Sequence, residues 1–391
     1  MSKETVTGIQ PALFLWARTS VGLEIDAVAQ MLKRQPEEIE AWERGDTAPT
    51  YTQLEKLAYQ IYKRPLALFF LPEPPQEVTP QREFRTLPEA DMHSLARDTY
   101  LHIRRAQAYQ LSLREIFDGR SPSSRPIWQQ LELVRGKSIV EQAKIIRELL
   151  KIGMEQQASW KNDDAALKVW RKAIEDAGIF VFKASFKQAD ISGFCLLDTE
   201  FPLIYLNNSA TKTRQIFSLL HELAHLLIRV NGLSKFDFSY TNRLGKSEKE
   251  LEIFCNAVAA EVLIPSDDFR RQIVSFPSDI EKAPDEFFVA IASRYGVSRE
   301  AILRRFLDQK RVRREFYEKK AKFWAQQKKT TEGGGSYYLT QGAYISDRFA
   351  KEVVARHYRQ QISLEQAADF LGVKPKSYAG LEERILQGVG A

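Results

Sequence analysis

The sequence predicts an α+β protein, mainly helical, with one small sheet in the middle of the chain. Three observations lead there. Apolar residues recur at helical spacing through most of the chain before residue 155 and after residue 248. Three short runs of strand character, Ile179–Lys183, Ile191–Leu197 and Pro202–Asn207, follow a helix over Ala165–Ala177 that Gly178 ends. Directly after them, Gln215–Val230 is apolar on nearly every side, the mark of a helix buried at a domain centre, with Gly232 as its stop.

In chain order, Leu13 to Leu71 reads as four or five short helices with turn signals at Gly22, Pro36, Gly45 and Pro49, which is helix-turn-helix material. Pro72, Pro74, Pro75 and Pro80 then mark a linker. Ser94–Phe117 and Ile127–Ile152 are amphipathic stretches around a turn-rich segment, and predict a helical spacer. Beyond the buried helix, further helices are expected at 248–262, 283–294 and 298–328. Gly333–Gly335 and Ser336 form a joint to a C-terminal helical segment. The expected domains are therefore 1–73, 74–158, 159–308 and 309–391, in keeping with a length of 391 residues that exceeds one ordinary core.

Composition excludes several classes. With 44% hydrophobic and 28% charged residues the chain is globular rather than disordered. No apolar run reaches membrane-spanning length, and the N-terminal region has no secretion-signal pattern. Cys195 and Cys255 cannot form a disulfide framework in so long a chain, so a reducing cytoplasm is expected. The net charge of +6 is unevenly spread: residues 302–330 carry eleven Lys/Arg against Asp308, Glu315 and Glu318, with Phe306, Phe316, Tyr317, Phe323 and Trp324 among them. That pattern suits either nucleic acid, with rings stacking on bases, or a solvated helix face with packed rings.

The chemistry concentrates in His221-Glu222-Leu223-Ala224-His225. Imidazoles at i and i+4 lie one turn apart on one helix face, where both can reach one Zn2+. Glu222 projects beside them, placed to take a proton from an attacking water and pass it to the leaving amine of a peptide. Burying these groups in so apolar a helix costs several kcal/mol unless a metal pairs with them. Catalytic zinc needs a third protein ligand, for which Asp237, Glu248, Glu250, Glu252 and Glu261 are candidates. Ser247 and Glu250 read as a capping box that starts a helix at Glu248, and the Leu251/Cys255/Val258/Ala259/Val262 stripe leaves Glu250 and Glu261 pointing away. Of Glu248 and Glu252, mid-helix Glu252 is preferred, because a first-turn carboxylate is already explained by the helix dipole. Tyr240, His102 and Arg214 are all chemically suited to stabilise an oxyanion. His93 and His357 carry no spacing argument. Cys255 reads as a small buried packing residue.

Arg214-x-x-Phe217-x-x-x-His221-Glu222-Leu223-Ala224-His225-Leu226-Leu227, followed by Glu252-x-x-Cys255-Asn256-x-x-Ala259-Ala260-Glu261-x-Leu263-x-Pro265, resembles the ImmA/IrrE family of metallopeptidases. The resemblance extends over about residues 165–306, through Gly178-Ile179-x-Val181, Ser192-Gly193-Phe194 and Tyr295-Gly296-Val297-Ser298. It implies a zincin-like core with His221, His225 and Glu252 as zinc ligands and Glu222 as base. Val258 and Cys255 depart from the family's usual Phe and Ala. The resemblance also implies limited, regulatory proteolysis of a specific protein such as a repressor or antitoxin, in stress or defence control.

Residues Ala27 to Leu32 and Pro36 to Pro49 resemble the XRE-type helix-turn-helix family, which implies operator binding. Yet Glu37, Glu38, Glu40 and Glu43 on the second helix, with no cation before Arg44, oppose DNA phosphates. Protein docking or homodimer formation is the preferred role. A second such unit, over 362–385, carries Lys374 and Lys376. Two functions follow: a zinc endopeptidase acting on one protein partner, with strand Pro202–Asn207 free to take up substrate as an added strand; or a transcriptional regulator or antitoxin that uses the metal fold as sensor or scaffold.

Overall fold

The computed structural model describes residues 4–77, 83–84, 86–273, 276–277, 279–326 and 342–388. The glycine joint at 333–336, Pro80, and Lys328 and Lys329 lie outside them. The chain divides into two compact units, Met1–Arg105 with Phe186–Gln188, and Ala106–Ser185 with Ala189–Ala391.

In the first unit, helices Pro11–Thr19, Ile25–Leu32, Pro36–Arg44 and Tyr51–Glu55 are followed by a π-helical stretch, Lys56–Tyr62, and a 3-10 turn, Leu66–Phe70. Their apolar faces meet in one core that includes Leu13, Val28, Ile39, Trp42 and Leu57. Thr50 and Gln53 form a reciprocal capping box. Of the four carboxylates on Pro36–Arg44, Glu43 is turned inward, where it accepts two hydrogen bonds from Arg18 at 2.7 and 2.9 Å. Glu38 accepts from Gln53 and Glu40 faces Arg44, so the outward charge of this helix is lower than its sequence suggests.

The second unit holds four strands: β1 (Phe180–Ala184), β2 (Ile191–Leu196), β3 (Leu203–Asn207) and β4 (Leu233–Lys235). Their order is β1-β3-β2-β4; β3 runs parallel to β1 and antiparallel to β2, and β4 is antiparallel to β2. Strand β3 is thus interior and its ladder groups are taken, so it is not available for an added strand; the edges are β1 and β4. Every residue of β1, β2 and β3 is buried, which explains their almost unbroken apolar sequence. On β1, Phe182 stacks on Tyr109 at 4.0 Å, while Val181 belongs to the main core. That core is closed by helices Asp163–Asp176, Lys212–Leu227 and Lys246–Leu263.

Several boundaries differ from expectation. The buried helix ends at Leu227, not at Gly232, because Arg229 takes the left-handed conformation (φ 62°) that reverses the chain. The next helix starts at Lys246 with Gly245 as N-cap and no side-chain cap, so Ser247 and Glu250 form no capping box. Ser266–Ile273 is an additional helix. The described part of the stretch expected as one helix at 298–328 is two helices, Arg299–Asp308 and Arg314–Gln326, separated by a turn with Lys310 at φ 58°.

Part of the basic segment, among its described residues, is engaged with the protein. Arg305 pairs with Glu261, Arg313 with Glu281 and Lys320 with Asp285. Phe306 is core, Trp324 is buried and donates to Asp285, and Phe316 and Tyr317 pack on the core. Phe323 is the exposed ring of the set.

Candidate metal centre

The helix Lys212–Leu227 is held between the sheet and helix Lys246–Leu263, which buries Gln215, Ile216 and all of Ser218 to Leu227. One turn apart on it, His221 and His225 bring their Nε2 atoms to 3.0 Å. Glu252, from the facing helix, completes a triangle, with Oε2 at 3.3 Å from His221 Nε2 and Oε1 at 3.2 Å from His225 Nε2. Ligands about 2.0–2.2 Å from a tetrahedral zinc stand roughly 3.3–3.6 Å apart, so these separations suit one small cation. No other group of three or more such residues among the described residues could hold one.

The polar atoms here need such a partner. All four residues of the site are at most 1% exposed. Neither carboxylate oxygen of Glu222, nor Oε1 of Glu252, meets hydrogen-bond geometry with a described residue. A carboxylate as deep as that of Glu222 cannot stay charged and unsatisfied without a large penalty. Burial pushes the Glu252 carboxyl up, but the charge of His225 and the hydrogen bonds of both imidazoles outweigh it and hold it below the usual carboxylate range. Burial likewise opposes protonation of His225, and Cys255 and Glu252 together drive its pKa well above the ordinary value. A divalent cation held by the two Nε2 atoms and the carboxylate would take the place of that proton.

Two residues that the sequence suggested in other roles, Tyr240 as an oxyanion group and Gly232 as a helix stop, complete the site. Tyr240 is buried and its hydroxyl donates to Glu252 Oε2 at 2.8 Å, fixing the rotamer of the third donor. Gly232 follows the Arg229 reversal, with its carbonyl accepting from Cys195 N at 2.9 Å. A Cβ at 232 would stand 2.7 Å from both Glu222 Oε2 and His225 Cδ2. The glycine keeps open the space that these two side chains occupy. A glycine five residues past the helix end, too far to cap it, was the available signal.

The other candidates fall elsewhere. Glu248 lies over Gly245, Glu250 is exposed, and Asp237 caps its own turn at Ser239 N. Glu261 is buried, contrary to the sequence reading. Its oxygens accept from Ser266 N at 2.7 Å and Ser266 Oγ at 2.8 Å, and it pairs with Arg305, because this helix is covered on two sides rather than one. Of the oxyanion candidates, Tyr240 reaches the donor triangle; Arg214 is exposed with its guanidinium over Phe236, and His102 belongs to the first unit, stacked on Phe186. Both cysteines are free and buried, and burial first of all raises both thiols.

Two imidazoles and a carboxylate beside a further buried carboxylate define a candidate metallohydrolase centre. Residues 174–307, about a third of the chain and including every residue of this centre, match the Peptidase M78 family model, described as an IrrE N-terminal-like domain. The match supports the ImmA/IrrE resemblance over this segment and supports a peptidase. No curated protein matches the chain. No described helix is long and apolar enough to cross a membrane.

Proposed function

We propose that the protein is a cytoplasmic zinc-dependent endopeptidase that cleaves one specific protein partner, a repressor or antitoxin, as a regulatory act. The observation that carries this is Glu222, fully buried, with the Cys195 thiol beside its carboxylate but neither oxygen meeting hydrogen-bond geometry with a described residue, next to a closed triangle of three donors. His221, His225 and Glu252 would hold the zinc. When bound, it supplies Lewis acidity, acidifying water and polarising the scissile carbonyl. Glu222 takes the proton of the attacking water and returns it to the leaving amine. Tyr240 holds Glu252 in register, and Gly232 leaves Glu222 room to move its proton.

Substrate backbone would add along β4, an edge strand that begins directly after Gly232, rather than along interior β3. The first four helices we read as an XRE-type module that docks protein or dimerises, and 342–388 as a further helical module.

The test is incubation of the zinc-loaded full chain, and of Glu222→Gln, with the protein products of genes adjacent to its own. Cleavage by the first and a loss of about 10²–10⁴-fold in the second supports the proposal. No cleavage by either, with a regulatory effect that survives Glu222→Gln, sinks it and leaves the scaffold reading.

A further inference from the structure

A second polar site lies in the same unit, on the helix-facing side of β1. Lys183, in that strand, lines a cavity of about 110 Å³ together with residues of helix Asp163–Asp176 and with Lys212, the first residue of the metal-site helix. Strand alternation puts Lys183 on the same face as core residue Val181. It is 7% exposed, and its ammonium lies at the cavity wall, open to solvent on that side. An ammonium so placed is costly unless an anion joins it.

The carboxylates around the cavity are each engaged by another cation. Asp164 faces Lys212 at 3.3 Å, Glu175 faces Arg171 at 3.4 Å, and Asp347 faces Lys351 at 2.6 Å. Arg171 also donates to the carbonyls of Val181, Ala343 and Ile345, which neutralise none of its charge. Lys183 and the exposed Lys168 are thus left as surplus cations. Burial, followed by the charges of Arg171 and Lys212, holds the Lys183 pKa well below its ordinary value, and an anion in the cavity would favour the ammonium again. The Lys212–Leu227 helix adds to the positive field, since its N-cap Thr211 makes no side-chain cap.

We infer that this cavity binds a compact tetrahedral oxyanion, inorganic phosphate or a phosphoryl monoester, with Lys183 as its principal partner. The two surplus cations match the charge of a phosphoryl group, about −1.5 to −2 near neutral pH. The volume is below the roughly 300 Å³ at which sites for whole small molecules begin, so a single anionic head is the scale of ligand that fits.

The experiment is calorimetric titration of the full-length chain with inorganic phosphate and, separately, with O-phosphoserine, at ionic strength held constant with chloride. Lys183→Met should weaken binding by about tenfold or more, as expected for loss of a charge-assisted hydrogen bond. It should leave the thermal midpoint without phosphate at or above that of the parent, because a buried amine whose charged form is disfavoured gives way to an apolar side chain of similar length. Exposed Lys168→Ala should weaken binding by a smaller factor and guards against misfolding of the first variant. Binding of phosphate alone assigns the source as the free ion; equal or tighter binding of O-phosphoserine assigns it as a phosphoryl ester. Absence of binding to both at millimolar concentration, or binding that neither substitution alters, overturns the assignment.

Discussion

Glu252 and Glu261 lie on one helix, nine residues and about 180° apart, and both are buried. They differ in who satisfies them. Glu261 is completed by its own chain, through the backbone and hydroxyl of Ser266 and the guanidinium of Arg305. Glu252 has a tyrosine hydroxyl and two imidazoles, bases that become good partners for a carboxylate when a cation lies among them. Burial of a carboxylate is thus a poor guide to function, and the kind of partner it faces is a better one.

That contrast can be broken most directly by substitution on both sides. Glu252→Ala should abolish stoichiometric zinc retention after dialysis, read by elemental analysis, and with it all cleavage. Glu261→Ala should keep the zinc but lose about 3–5 kcal/mol of stability in urea unfolding, because the mostly buried Arg305 is left without its carboxylate. If Glu261→Ala loses metal and Glu252→Ala does not, the two roles are exchanged and the site is wrongly placed.

Metal removal sharpens it next. Chelation should lower the stability of the parent by up to about 4 kcal/mol at zinc activity a thousandfold above Kd, and should leave Glu252→Ala unaffected. Tyr240→Phe gives the smallest effect: zinc affinity should fall by about 10–100-fold, the usual range for groups that orient a ligand, with the fold's cooperativity intact. An unchanged zinc affinity in that variant would reduce the hydroxyl to a packing contact.

Much of this was legible in the sequence because helical geometry is rigid. The i, i+4 spacing of His221 and His225 sets their common direction, and the phase of the next helix favoured Glu252. The three strand runs of five to seven residues were found to within a residue at each end, since buried strands have few polar interruptions. Strand β4 escaped because three residues carry no periodicity. Glu261 was misplaced because one apolar stripe was assumed where the helix is enclosed on two faces. The break after Asp308 was invisible because Lys310 adopts a left-handed conformation with neither Gly nor Pro to announce it. Tyr240 stood out in the sequence only as one of three oxyanion candidates and Gly232 only as a helix stop, and packing reveals the contacts each makes at the site.

The shortness of β4 bears on how a cleaving enzyme of this design would choose its target. Three residues offer a guest segment only a few main-chain hydrogen bonds, each with a net contribution of about 0.5–1.5 kcal/mol. Such a grip corresponds to roughly millimolar binding, too weak to select one protein among many. Recognition would then be a matter of tethering: a remote surface raises the local concentration of one partner, and the cleft accepts whatever exposed loop that partner brings.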